Sequence, residues 1–390
     1  MKRRSFLQGL AAAPIALGIP RAFAAPAPAS SRLTILVNLE GGNDSYNTWV
    51  PFTDPLYYKL RPTIAIPADQ VLKVTDKQGF HPALAPLMPL WESQQLALVQ
   101  GIGMPDINQQ HYRDVELVYT ASEPDEYLTS GWMTRALARR PLDDKAIADA
   151  LAIGELDIRE LDPYGPFRGG TKRVVQIHHA SELLGFRELS KCATDINPPG
   201  KASLAGRNVT IPPVALKTAF PDEPFGTAIR AAVEVAAYDR TLPVIHLTLN
   251  ATSRDHHHAF DTHWEQLKYH GTALERFAKG MVVLKAGLEE IGRWDETLVM
   301  TYAEFGRSPV ENEDKGTHHG HAATQFVLGG RVKGGLYGEA IKPIKLFAIG
   351  GPPPVIDYRE LYTTVIERWW GADPSGVFAR RYKSVELIRA

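Results

Sequence analysis

The chain has one cysteine, Cys192, among 390 residues. A single thiol excludes an internal disulfide and a thiolate metal cluster. Cys192 sits in the polar run Ser190-Lys191-Cys192-Ala193-Thr194, a poor setting for a nucleophile. Positive charge is not in excess either: 43 Lys and Arg stand against 44 Asp and Glu, a formal net charge of −1. The first 24 residues hold Lys2, Arg3, Arg4 and Arg21 and no acid, so the remainder is more acidic still. That balance recommends neither nucleic acid nor anionic lipid as a partner. Beyond the amino terminus no run approaches the ~20 apolar residues of a membrane-spanning helix. A Gly-x-Ser-x-Gly elbow and a dinucleotide fingerprint are also missing. Gly329–Gly335 is glycine-rich but lacks the order of a phosphate-binding loop, and it reads as a turn between strands.

What is present begins at the amino terminus. Lys2-Arg3-Arg4-Ser5-Phe6-Leu7 precedes a short apolar run, Leu10–Ile19, and the small-residue site Ala22-Phe23-Ala24. This three-part layout predicts a twin-arginine export signal over residues 1–24. The expected partner during export is the twin-arginine translocase, and the expected destination is the periplasm. Residues 25–31 form an Ala/Pro/Ser linker, leaving 32–390 as a single large α/β domain. Apolar runs predict strands at 33–39, 96–100, 242–249, 297–302, 325–330 and 344–349. Helices are expected at 83–91, 228–237 and 263–291, the last from the spacing of Leu267, Leu274, Phe277, Met281 and Leu284. Residues 142–224 are richer in Pro, Gly and charge and read as a less regular insertion. Strands alternating with helices predict a central, mostly parallel sheet with helices on both faces.

Eight of the 13 histidines lie between His256 and His321. Seven form two clusters, Arg254–His263 and Gly316–His321, each following a predicted strand. Imidazole and carboxylate together suit zinc, manganese or a similar divalent ion, although polar runs also make solvated loops. Asp44 follows the first strand, where a carboxylate can hold a cation, yet Gly-Gly-Asn-Asp is good turn chemistry on its own. Glu304 follows a later strand and could face the same crevice. Arg307 is a candidate clamp for an anionic oxygen, with a salt bridge to a nearby acid as the alternative.

Several motifs in order resemble one family. They are Leu39-Glu40-Gly41-Gly42-Asn43-Asp44-Ser45-Tyr46-Asn47-Thr48, Arg61-Pro62, His81-Pro82, Ser130–Arg135, Phe260-Asp261-Thr262-His263, Ala303-Glu304-Phe305-Gly306-Arg307 and Gly316–Gly320. On these the mature chain resembles the twin-arginine-exported domain-of-unknown-function family 1501, which is grouped with the alkaline phosphatase/sulfatase superfamily. The resemblance implies an alkaline phosphatase/sulfatase-like fold with metals at the strand ends. It implies Asp44, Asp261, His263, Glu304 and His319 as metal ligands, with Arg307, Ser45, Thr48 and His111 as catalytic candidates. It implies a metal-dependent hydrolase or transferase acting on a phosphate or sulfate ester, carried by an anionic small molecule or a glycan. Two departures stand out. Gln110 replaces a family serine at a plausible nucleophile position, and His318 replaces an aspartate before the last histidine. Ser45, Thr48 or a metal-bound water would then have to attack. The departures also suit a non-catalytic periplasmic binding or assembly protein that keeps the fold and its metal.

Overall fold

The computed structural model of this protein describes residues 31–140, 143, 145–154, 165–170, 173–196, 209–249, 259–342 and 350–389. The export signal, His256–His258 of the first histidine cluster and the strand expected at 344–349 lie outside the described residues.

Leu33–Asn38 forms the strand its β-branched and apolar residues predict, and all six residues are buried. Successive side chains of a strand face opposite ways. Leu33, Ile35 and Val37 therefore enter one apolar core and Leu36 the other. A strand buried on both faces belongs in the middle of a covered sheet. Leu33–Asn38 pairs in parallel with Thr297–Tyr302 on one side and with Val244–Thr248 on the other. Ala150–Ile153 and Val174–Ile177 extend this parallel run, and Ala193–Asp195 closes it antiparallel. Beyond Thr297–Tyr302, Ala323–Leu328 and then Leu96–Gly103 pair antiparallel. Gly335–Gly338 and Ile356–Asp357 lie parallel to Leu96–Gly103. Among the described residues these ten strands form one mixed, mostly parallel sheet.

Helices cover both faces. Pro224–Tyr238 and Gln266–Glu290 pack Phe225, Ile229, Leu274, Phe277 and Met281 onto one face. His111–Thr120, Trp132–Leu137 and Tyr358–Thr363 pack Leu117, Trp132, Met133, Leu361 and Tyr362 onto the other. The region 142–224, read as a less regular insertion, supplies two strands of the parallel run. One expectation changes. The long helix begins at Gln266, because Glu265 takes a left-handed conformation with φ 42°. Leu267 consequently faces outward, and His263 lies in a loop with freedom to reach a neighbouring segment.

Strand direction assembles the site. Leu33–Asn38, Leu96–Gly103, Val244–Thr248 and Thr297–Tyr302 all run the same way, and Ala323–Leu328 runs against them. The segments leaving the first four and the segment entering the fifth therefore gather at one edge, the usual ligand edge of such sheets.

Burial pushes His81 down to about 4, and His246 and His270 to about 3. Each is neutral in the fold and titrates near 6.5 once unfolded. Their stabilisation is full above pH 6.5 and is lost as pH falls toward 4, by about 1.4 kcal/mol per unit for each histidine. His111, whose pKa is raised, opposes this by at most one proton. We expect the urea midpoint to drop steeply between pH 6.5 and 4, and to drop less in His246→Phe. A flat profile there would contradict the buried, neutral state of these rings.

Candidate functional site

The turn Glu40-Gly41-Gly42 carries the chain out of the first strand. Gly41 and Gly42 have φ 102° and 87°, and a Cβ at Gly42 would lie 2.5 Å from the Phe305 ring, so both conformation and space demand glycine. The Gly41 N–H donates to both carboxylate oxygens of Glu304 at 3.1 Å. Glu304 Oε1 in turn accepts from His111 Nδ1 at 3.0 Å. His111 is the first residue of the helix His111–Thr120, and its Nε2 lies 3.4 Å from Asp261 Oδ2.

Asp261 is the centre of the group. Its Oδ1 meets His263 Nε2 at 3.0 Å, His319 Nε2 at 3.3 Å and the Arg307 guanidinium. His263 and His319 approach Nε2 to Nε2 at 3.0 Å, so the two histidine clusters do meet in space. Gly316 permits the approach, since a Cβ there would lie 2.1 Å from the His263 carbonyl carbon. Phe305 stacks on the His319 ring at 4.2 Å. One donor atom each from His111, Asp261 and His319 lies within 4.8 Å of the others, a set able to hold a divalent ion.

The charges follow from these contacts. Burial works against ionisation of Asp261, but the Arg307 charge and hydrogen bonds from His111 and His263 outweigh it and hold the carboxyl far below its usual range. Burial also disfavours a charged His111, yet hydrogen bonds to Asp261 and Glu304 prevail and raise its pKa. His319 goes the other way: burial first, then the charges of Arg307 and His111, favour its neutral form.

The structure thus brings together His111, Asp261, His263, Glu304 and His319. Four other expected site residues serve different roles. Asp44 is fully buried, and Arg61 grips both its oxygens, Nη1 to Oδ2 at 2.5 Å and Nη2 to Oδ1 at 3.0 Å. Its carboxylate also caps the next turn through the Tyr46 N–H and accepts from Gln266, which leaves no lone pair facing an ion. The turn reading of Gly-Gly-Asn-Asp is the one that holds. Arg307 is 1% exposed and donates to the carbonyls of Gly41, Gly42, Phe260 and Thr317 as well as to Asp261. It clamps loops rather than a substrate oxygen. Ser45 and Thr48 are buried, their hydroxyls turned to the Ala322 carbonyl and to Asn43 Oδ1, so neither can attack a ligand at the cluster. Gln110 is exposed at the cap of the His111 helix, with its side chain outside the cap hydrogen bonds. Cys192 is buried at another sheet edge, its thiol pushed up to about 11 by burial.

Glu40 sits beside the cluster. It is 1% exposed and lines a small cavity together with Glu304, Tyr119 and Tyr302. In sequence it is a carboxylate ending an apolar strand just before two glycines.

Residues 221–376 match the family described as "Protein of unknown function (DUF1501)". That DUF1501 match contains Asp261, His263, Glu304 and His319, while His111 and Asp44 lie before it. No curated protein matches the chain in sequence. Among solved structures, the chain is similar to a lipoteichoic acid synthase from Listeria monocytogenes, with 13% identity, 89% of this chain and 74% of that one covered, and a TM-score of 0.42. It is similar to a phosphonate monoester hydrolase from Silicibacter pomeroyi, with 13% identity, coverage of 91% and 75%, and a TM-score of 0.41. A protein in the alkaline phosphatase superfamily from Vibrio parahaemolyticus matches at 12% identity, coverage of 78% and 62%, and a TM-score of 0.39.

Removing one partner of a buried ion pair strands the other charge. Asp44→Ala should therefore cost about 3–5 kcal/mol of unfolding free energy in urea titrations. If Asp44→Ala is as stable as the parent chain, Asp44 is not the structural anchor described here.

Proposed function

We propose that this protein is a divalent-metal-dependent hydrolase or transferase acting on a phosphate or sulfate ester of an anionic small molecule or glycan. The observation that carries the reading is the convergence of His111, Asp261 and His319 donor atoms within 4.8 Å at the carboxyl edge of the sheet. Two imidazole nitrogens and one carboxylate oxygen fit a borderline ion such as zinc or manganese, and His263 lies against the same set. When bound, the ion supplies Lewis acidity toward an ester oxygen and lowers the pKa of water. The chain's own residues do the rest. Arg307 fixes the Asp261 carboxylate, Glu304 holds the His111 ring, and Phe305 shields one face of His319. Gln110, exposed at the cap of the His111 helix, carries an amide that cannot form a covalent ester, so water is the nucleophile of this reading.

A second reading is favoured by that same Gln110 and by the enclosed Ser45 and Thr48: a metal-holding binding or assembly protein without turnover. Zinc and manganese titration of the metal-stripped chain, followed by nitrophenyl phosphate and sulfate assays, separates the two. We expect zinc binding in the parent chain and ester cleavage that chelators abolish. Asp261→Asn and His319→Ala should weaken zinc binding by more than ~100-fold, beyond the effect of losing a supporting hydrogen bond. A His111 that gives up a proton to become a ligand makes binding stronger as pH rises. Gln110→Ser should raise cleavage or trap a phosphoserine. Zinc binding without cleavage in parent and Gln110→Ser selects the second reading, and absence of zinc binding ends both.

We also propose export through the twin-arginine pathway, resting on Arg3-Arg4 and the apolar run after them. Among the described residues no helix is long and apolar enough to cross a membrane. Replacing Arg3 and Arg4 by Lys should leave the chain in the cytoplasm with its first residues uncut, as fractionation and mass determination would read. Normal delivery of that variant contradicts the route.

A further inference from the structure

Gln109 takes the left-handed conformation, with φ 61°. That conformation is costly for any residue with a Cβ and suits glycine best. The backbone therefore gives no reason for a glutamine here, whereas the contacts do. The Gln109 carbonyl lies 2.7 Å from His319 Nδ1. A carbonyl can only accept, so Nδ1 of His319 must carry the hydrogen. In the neutral ring Nε2 is then bare, and it is Nε2 that faces Asp261 Oδ1 and His263 Nε2. The Gln109 side chain makes a second attachment: its amide Nε2 donates to His321 Nε2 at 2.8 Å. His321 is itself tied by its backbone N–H to the Gly350 carbonyl at 2.9 Å. Gly350 closes over the pair, and a Cβ there would lie 2.3 Å from the Gln109 amide nitrogen and 2.7 Å from His321 Cδ2. One residue thus holds two histidines of the same short segment, one through its backbone and one through its side chain.

We propose that Gln109 is a positioning residue, anchored by His321 beneath Gly350, whose carbonyl fixes the Nδ1–H tautomer of His319 and keeps its Nε2 open toward Asp261. The inference rests on the metal-dependent reading for its purpose, but the tautomer itself is readable without any ion.

The test uses the full chain, stripped of metal and labelled with 15N at histidine, with the His319 signals assigned by their loss in His319→Gln. The parent should show one neutral Nδ1–H form at His319. Gln109→Ala and Gln109→Gly should each show a mixture of both tautomers, and their zinc affinity should fall ~10–100-fold, the range expected when a ligand loses its orienting partner. Gln109→Glu, whose carboxylate can accept from a His321 Nε2–H, should restore the single tautomer. Far-ultraviolet dichroism like that of the parent shows that each variant is folded. Should Gln109→Ala fail to fold, His321→Ala reads the same anchor and should shift the tautomer the same way. A His319 in the Nε2–H form in the parent overturns the proposal. So does a folded Gln109→Ala or Gln109→Gly that keeps the parent tautomer. If the tautomer behaves as expected while the parent binds no zinc, the positioning stands and the metal reading fails.

Discussion

Arg307 and Asp261 form the contact on which the strand-end loops depend. The guanidinium is buried, and a buried charge is tolerable only when it is paired and its donors are satisfied. Asp261 supplies the counter-charge, and four carbonyls from three separate segments supply the acceptors. Satisfying one side chain in this way fixes the glycine turn after the first strand, the loop carrying Asp261 and the entry to the strand carrying His319. His263 and His319, carried by two of those segments, meet Asp261 there. Charge balance follows from the same geometry: Arg307 removes much of the negative field of Asp261, while Glu304 supplies a second carboxylate beside His111.

A second buried pair, Asp44 with Arg61, works alongside it. Arg61 also donates to Asn47 Oδ1 at 2.8 Å and to the carbonyls of Ser308 and Pro309 at 2.6 and 3.0 Å. It therefore ties the first loop to the segment just after Arg307. Gln266 links the two systems, donating to Asp44 and accepting from Thr317 at 2.6 Å. The edge of the sheet is thus organised as one polar network whose outer members are structural and whose exposed side presents the imidazoles. Such a network is stable only when complete, since each stranded member costs its full desolvation.

The α/β class, the strands at 33–38, 244–248 and 297–302, and the gathering of Asp261, His263, Glu304 and His319 were legible in the sequence. Period and residue type reveal strands, and strand ends reveal where polar residues collect. The division of labour among the polar residues was not legible. Asp44 and Asp261 look alike in sequence, each a carboxylate in a polar stretch that follows a predicted strand. Only tertiary packing shows that Arg61 consumes one, while Arg307 leaves the other's oxygens facing imidazoles. Both alternatives set beside the ligand readings, a turn at Asp44 and a salt bridge at Arg307, describe the fold. The strands at 150–153 and 174–177 hid among Pro, Gly and charge because their neighbours are loops. Gln109 left no signal in sequence at all, since its role depends on a backbone angle and a carbonyl.

The cluster has a temporal consequence. His111 follows the strand Leu96–Gly103 and His319 precedes its direct partner Ala323–Leu328, so the two rings meet at neighbouring strands although they lie far apart in sequence. A growing chain that has emerged only to Asp261 holds His111 and Asp261 but not His319, and so lacks the complete set. Contacts of such long sequence separation form late, after the intervening loops have been closed. On the metal-dependent reading, an ion would be captured only by the finished fold, and its identity would be decided by the ions surrounding the molecule at that moment. If the proposed twin-arginine route carries the chain across already folded, that choice would be made before departure, by the ion supply of the compartment that built it.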